Sequence, residues 1–235
     1  MPVKSESKPR PRGLRSDGEA TRTRILEAAG ELFAAHGFAE TTGKAIASRA
    51  DVDLASINYH FGSRDGLYQA VLVQAHHRLV NLADLQQLAR STLPAAEKLK
   101  MLIGQLVRNT TNEAESWHLT VLAAELLAPS SHVQVLLQSE APMKVSLVIS
   151  ILSEITGIPA QDPALLPCLL NIVAPGLLLL LTSKRGLPGP REEIRQLPSE
   201  MLIEHLFRFA IAGLEAAGRD YAGQSTKNRE SPSLS

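Results

Sequence analysis

TTGKAIASRADVDLASINYHF, residues 41–61, reads as two short helices joined by a tight turn. The first runs from about Gly43 to Ala50 and can bury Ile46, Ala47 and Ala50 on one face. Asp51-Val52-Asp53 form the turn, and a second helix from Leu54 to about His60 turns only Ile57 inward. That second helix is small, polar and aromatic rather than greasy. A helix whose outer face must lie in the major groove of a duplex needs that composition, and the pattern is that of a helix-turn-helix. No other segment carries a signal of comparable specificity.

Working outward, Ile25, Ala29, Leu32 and Phe33 recur at helical spacing and predict a helix from about Glu19 to His36. Gly37 follows as a left-handed terminator, and Phe38 tucks into the core. Thr41 or Thr42 can cap the first short helix, Asp53 the second, and Ser63 a long helix from Arg64 to about Leu88 with Leu67, Val71 and Leu72 inward. Beyond residue 90 longer helices are expected: Pro94 to about Glu113; Trp117 to about Ala128, capped by Ser116 and ended by Pro129; and Pro142 to Thr156, stopped by Gly157. Asp162-Pro163 opens a Leu-rich helix reaching about Arg185. Gly186–Pro190 is a break. A last helix, about Ser199 to Ala217, carries two apolar stripes, one through Ile203, Leu206, Phe207, Ala210 and Leu214, the other through Leu202, Phe209 and Gly213. Two stripes mean two partners, its own bundle and something else.

The fold class is therefore all-α. Apolar residues make up 44 % of the 235, aromatics only 4 %, and no period-two run signals a strand. The domain reading is a basic flexible tail at 1–18, a helix-turn-helix DNA-binding domain at 19–66, a larger helical effector-binding and dimerisation domain at 67–217, and a disordered tail at 218–235. Formal net charge is zero, so bulk charge cannot hold a polyanion. Charge is uneven, however: Lys4, Lys8, Arg10, Arg12 and Arg15 crowd the N-terminus against one acid, Glu6. That segment is either an arm for phosphates or the minor groove, or a solvated tail. The lone Cys168 excludes an internal disulfide and fits a reducing cytosol, as a buried structural thiol. No apolar leader opens the chain. The greasiest run, Leu165–Leu181, is interrupted by Pro167, Asn171 and Pro175, which argues for burial in a core or between subunits rather than in a membrane.

On the helix-turn-helix, Thr42 and Lys44 stand where a hydroxyl, a backbone N–H and an ammonium can meet a phosphate. Leu54, Ala55, Ser56 and Asn58 occupy the leading turns of the second helix. Asn pairs with an adenine edge, Ser with several edges, and Leu or Ala packs on a thymine methyl. Tyr59 and His60 offer polar tips for backbone phosphates, and Arg64 is a further DNA-binding candidate. Alternatives stay open: Tyr59 as a core aromatic, His60 as an electrostatic helix cap, Asn58 bonded to local backbone. Phe61 is core.

Residues 22–68 resemble the N-terminal domain of the TetR/AcrR family of transcriptional regulators. The likeness lies in Arg24-Ile25-Leu26, Phe33, Gly37-Phe38, Thr41-Thr42, Ile46-Ala47, Val52, Tyr59-His60-Phe61 and Leu67-Tyr68, all in register. The resemblance implies an all-helical homodimer with a three-helix DNA-binding head and a helical body, in which a small-molecule effector binds and the last two helices dimerise. It implies phosphate contact for Thr42, Lys44, Tyr59 and His60, and base reading for Ala55, Ser56 and Asn58. INYHFGSRDGLY at 57–68 and the segment 123–157 also resemble the CecR subgroup, whose members regulate drug-export and stress genes. Two departures stand out. Asp51 replaces the turn glycine usual in the family, and Asp53 adds negative charge near DNA.

The dimer helices are expected near 165–185 and 199–217, giving a four-helix interface and heads about one DNA turn apart, roughly 34–36 Å for the simplest site. Double-stranded DNA, a palindromic operator and an effector are the expected partners, with Met101, Trp117, His118, Leu122 and Met143 as effector-pocket candidates that could equally be ordinary core. No cofactor or metal is expected; adjacent His76-His77 point to different sides of a helix. No HExxH, CxxC, P-loop or GxSxG sequence calls for an enzyme. The leading reading is a ligand-released repressor. Its rival is a DNA-anchored protein-interaction factor without an effector, and a helical ligand carrier is a distant third.

Overall fold

The computed structural model describes residues 12–111, 116–182 and 191–230, which are helical with no strand among them. Two compact units divide the chain, 1–71 and 72–235.

In the first unit, α1 (Arg12–Glu40) starts earlier than the predicted Glu19. Lys4, Lys8 and Arg10 of the basic segment lie outside the described residues. Ile25, Ala29 and Phe33 are buried as their spacing requires. The predicted left-handed stop at Gly37 is instead φ 78°, ψ 170°, a kink after which one helical turn resumes. That region is open essentially to glycine alone. The kink lets Phe38 swing back, its ring 5.9 Å from Phe33 and 4.9 Å from Tyr68.

α2 (Gly43–Ala50) is capped by Thr42, whose side chain accepts from the Ala45 N–H. Thr41 is not the cap: it is buried, and its hydroxyl donates to the Gly37 and Leu32 carbonyls. α3 (Leu54–Phe61) is capped by Asp53, and α4 (Arg64–Leu79) by the Ser63 hydroxyl, which accepts from the Gly66 N–H. Leu67, Val71 and Leu72 are fully buried.

The second unit departs from the predicted long helix ending near Leu88. The chain breaks after Leu79, and Asn81 caps a separate α5 (Leu82–Arg90) by accepting from the Ala83 and Asp84 N–H groups at 2.8 and 3.1 Å. α6 (Ala95–Thr111) buries Leu99, Leu102, Ile103 and Val107. Ser116 sits at the cap position of α7 (Trp117–Leu127), but its hydroxyl turns to the His118 ring rather than to backbone. A 3₁₀ turn, Ser131–Val133, and a short α8 (Gln134–Leu137) follow in a stretch for which no helix is expected. α9 (Ala141–Thr156) begins with Pro142 in its first turn and stops at Gly157, which is left-handed at φ 71°, ψ 3°. α10 (Leu165–Thr182) follows a turn in which the Asp162 side chain accepts from the Ala164 N–H. The predicted end at Arg185 and the break at 186–190 lie outside the described residues. α11 (Arg191–Gln196) is an additional short helix.

α12 (Ser199–Glu230) runs well past Ala217, through much of the segment expected as a tail. Two contacts hold the first part of the extension. Tyr221 donates its hydroxyl to Asp162 at 2.6 Å. Gly218 lies so close to the end of α9 that a Cβ would overlap the Thr156 carbonyl oxygen and come within 3.1 Å of its carbonyl carbon and Cα. The core of this unit gathers α6, α9, α10 and α12 around Leu99, Ile151, Leu152, Leu165, Ile203 and Leu214.

Candidate nucleic-acid interface

Ile57 is the anchor of α3. It is 1 % exposed, and burying such a side chain contributes about 1.5–3 kcal/mol. With one residue of an eight-residue helix fixed inward, helical periodicity turns Ala55 away from the core and Asn58 to the flank, while Leu54, three residues before Ile57, lies at the helix start. Leu54, Ala55 and Asn58 are exposed, as is Tyr59 at 83 %. An aromatic ring so open contributes nothing to a core, which removes the reading of Tyr59 as a core residue. His60 is half-buried and meets the Tyr59 ring edge-on at 5.0 Å. Phe61 is also only half-buried, with the Arg22 guanidinium 5.2 Å from its ring centre.

Ser56 is differently placed. Its backbone N–H and hydroxyl both donate to Asp53 Oδ1, at 2.7 and 2.6 Å. The hydroxyl proton is therefore committed to the cap, and Ser56 keeps only acceptor capacity for a base edge. The same bonds, the hydroxyl first and the backbone N–H second, hold the Asp53 carboxyl below its ordinary pKa. The carboxylate stays ionised at the positive end of α3, where the helix dipole stabilises it.

Thr42, which caps α2, and Lys44 in its first turn are both exposed. Lys44 has no ion-pair partner among the described residues. Arg49, by contrast, is tied to Glu31 at 2.6 Å. Gly43 allows α3 to approach: a Cβ there would stand 3.0 Å from a Leu54 methyl. Composition alone does not reveal this residue; only the contact identifies it.

Arg64, a DNA-binding candidate in the sequence, has partners within the chain. It is half-buried, its guanidinium 4.2 Å from the Phe38 ring centre, and one nitrogen donates to the Thr41 carbonyl at 2.9 Å. This geometry makes it a brace between the start of α4 and the residue preceding the α2 cap.

Two cavities lie in the second unit. The larger, about 450 Å³, runs between α6, α10 and α12 and is bordered by Cys168, Phe209 and Gly213. The smaller, about 220 Å³, is lined from α4, α5, α6, α9 and α10. None of the five residues expected to line an effector pocket borders either one. Met101 and Met143 are 51 % exposed, the latter accepting a hydrogen bond from Gln86. Trp117, His118 and Leu122 are buried: the Trp117 and His118 rings stack at 4.1 Å, and Arg78 meets both. Cys168 is buried too, and burial pushes its thiol pKa up, away from reactivity. No group of three metal-ligating side chains occurs among the described residues, and none of their helices is long and apolar enough to cross a membrane.

An anchored short helix with an open polar face, set against a second helix that presents an unpaired lysine, defines the helix-turn-helix class. Residues 25–71 match the tetR family of bacterial regulatory proteins. A 65-residue stretch is 35 % identical to the HTH-type transcriptional regulator UidR of Escherichia coli K12, covering 28 % of this chain and 33 % of that protein. The chain thus spans about a third of the length of the curated relatives it matches. Its fold is similar to a TetR-like transcriptional regulator from Rhodococcus sp. RHA1, with TM-score 0.59 and 20 % identity over 88 % of this chain and 98 % of that one. It is also similar to NalD, the secondary repressor of the MexAB-OprM multidrug efflux pump in Pseudomonas aeruginosa, with TM-score 0.58 and 22 % identity over 84 % and 97 % of the two chains.

Proposed function

We propose that this protein is a homodimeric, sequence-specific DNA-binding transcriptional repressor, released from a palindromic operator by a small-molecule effector. The observation that carries the reading is the outward face of α3, where Leu54, Ala55, Asn58 and Tyr59 stand open on a helix pinned by Ile57. In this reading Asn58 takes an adenine edge, Leu54 and Ala55 pack on thymine methyls, and Ser56 accepts from a base amine. Thr42, Lys44, Tyr59 and His60 hold phosphates. With zero net charge the chain as a whole does not attract a polyanion, so local contacts such as these carry the binding.

The effector and dimer belong to the second unit, which holds both cavities. An effector acts by binding one conformation of the dimer better than the other. The CecR-like segments at 57–68 and 123–157 support drug-export or stress genes as the regulated set.

Selection of binding sites from random duplexes, followed by affinity measurement over a salt series, tests the proposal. A two-fold symmetric motif is expected. Lys44→Ala should weaken binding across all sequences and lower the salt slope by about 1, whereas Asn58→Ala should cost about 1–3 kcal/mol and relax one base position. A chain that selects no duplex, or variants that bind as the parent does, would overturn it.

A further inference from the structure

The smaller cavity is built like a receptor for one kind of molecule. Its walls are mostly aliphatic, with Leu79, Leu102, Val148 and Leu169 among them, and no Asp or Glu lines it. Lys144, His76 and Gln105 interrupt the apolar surface. Lys144 is 4 % exposed, so its ammonium has lost most of its hydration and needs compensation from elsewhere. That compensation is incomplete. Nζ reaches Glu140 Oε2 at 3.2 Å and His76 Nδ1 at 3.3 Å, both long, and Glu140 is itself 40 % exposed and screened by water.

An ammonium has three N–H donors; these contacts use two and leave one. Because His76 Nδ1 accepts from the lysine, the ring proton sits on Nε2 and makes that nitrogen a donor as well. Burial first, and the Lys144 charge second, push the His76 pKa down to about 4, so the ring is neutral near pH 7. Gln105 has no hydrogen-bond partner among the described residues. The cavity lining therefore offers spare donors and one positive charge, partly offset by Glu140 from outside the lining, inside an apolar shell.

We propose that this cavity binds a small amphipathic anion, its oxygen-bearing head at Lys144 and Gln105 and its short aliphatic tail along Leu102, Val148 and Leu169. This rests on the effector reading above and assigns the effector a chemical class. At roughly 30 Å³ per water-sized group, 220 Å³ holds about seven such groups. A chain on the order of six to eight carbons fits. A cation would meet Lys144 with like charge, and a neutral chain would leave the spare donors unpaired.

Calorimetric titration of the full-length protein with octanoate, octanol and octylammonium tests the assignment without DNA. Octanoate should bind about tenfold or more tighter than octanol, and octylammonium should not bind. Lys144→Met keeps the side-chain length and removes the charge; it should bring octanoate down to the octanol level while octanol binding persists, which also reports an intact cavity. Val145→Trp, at a partly exposed lining position, should block both ligands whether or not the Lys144 variant folds. Equal binding of octanoate and octanol by the parent protein, or octanoate binding undiminished in Val145→Trp, would overturn the proposal. DNA release by octanoate is read separately. Binding without release removes the effector role and leaves the site, whereas release without preference for the anion does the reverse.

Discussion

Asp51 ends α2 at φ 52°, ψ 55°, the one non-glycine residue with positive φ among those described. That conformation costs an ordinary side chain about 1–2 kcal/mol, less for Asp because its short carboxylate tolerates it. The turn recovers part of the cost by capping: the Asp51 and Val52 N–H groups donate to the Ser48 and Ala47 carbonyls that the helix end would otherwise leave open. The departure from the family's glycine thus leaves the turn formed. His76 carries a pH consequence. Its pKa falls from an ordinary 6.5 to about 4, through burial and then Lys144, with Glu140 opposing and His77 adding slightly. A depressed folded-state pKa means that the unfolded chain takes up the proton first. This contribution to stability is fully present above pH 6.5 and is lost as pH falls toward 4. The parent should therefore lose more stability across that window than His76→Leu, by urea unfolding at successive pH values. Parallel losses would show that His76 does not titrate differently on folding.

At the scale of elements, glycine inside a helix ordinarily weakens it by about 1 kcal/mol relative to alanine. Gly218 inverts that expectation. It lies in α12 where the Thr156 carbonyl presses against it, so Gly218→Ala should destabilise by about 1–3 kcal/mol through overpacking rather than stabilise. The sign of the change in urea unfolding decides the matter, and a stabilised variant would mean that α12 does not pack there. This close approach, together with the Tyr221–Asp162 bond, explains why residues after Ala217 continue a helix although their composition reads as a tail. Polar residues on the far side of a helix look like a linker until the few inward positions are known. The break between α4 and α5 was legible in principle. Asn81 followed by Asp84 is an N-cap with an acid in the first turn, but the apolar spacing across Leu79 and Leu82 conceals it.

For the whole molecule, one apolar face has no partner in the single chain. Leu166, Leu170 and Val173 follow one another at helical spacing on α10 and are 57 %, 64 % and 37 % exposed; Phe209 on α12 is 79 % exposed. A second copy of the chain is the proposed cover, and the 450 Å³ cavity bordered by Phe209 and Gly213 would close beneath it. Sedimentation should give twice 25.4 kDa for the parent and a single 25.4 kDa chain for the double variant Leu170→Glu, Phe209→Glu, with helicity unchanged because neither side chain is buried. A monomeric parent would remove the dimer from the proposed function.

Local chemistry settled the helix-turn-helix in advance. Caps, the turn and the inward stripe at Ile46, Ala47 and Ile57 depend on neighbours three or four residues apart, and those neighbours are written in order along the chain. The two apolar stripes of α12 were visible for the same reason. Tertiary packing alone decided the rest. Arg64 became a brace and Ser56 part of a cap because their partners, Phe38 with Thr41 and Asp53, had geometry as well as spacing. The cavities opened among residues such as His76, Gln105 and Lys144, which lie on three helices distant in sequence. Met101, Trp117, His118, Leu122 and Met143 fell elsewhere, since periodicity says which side of a helix is apolar but not which neighbour that side will meet.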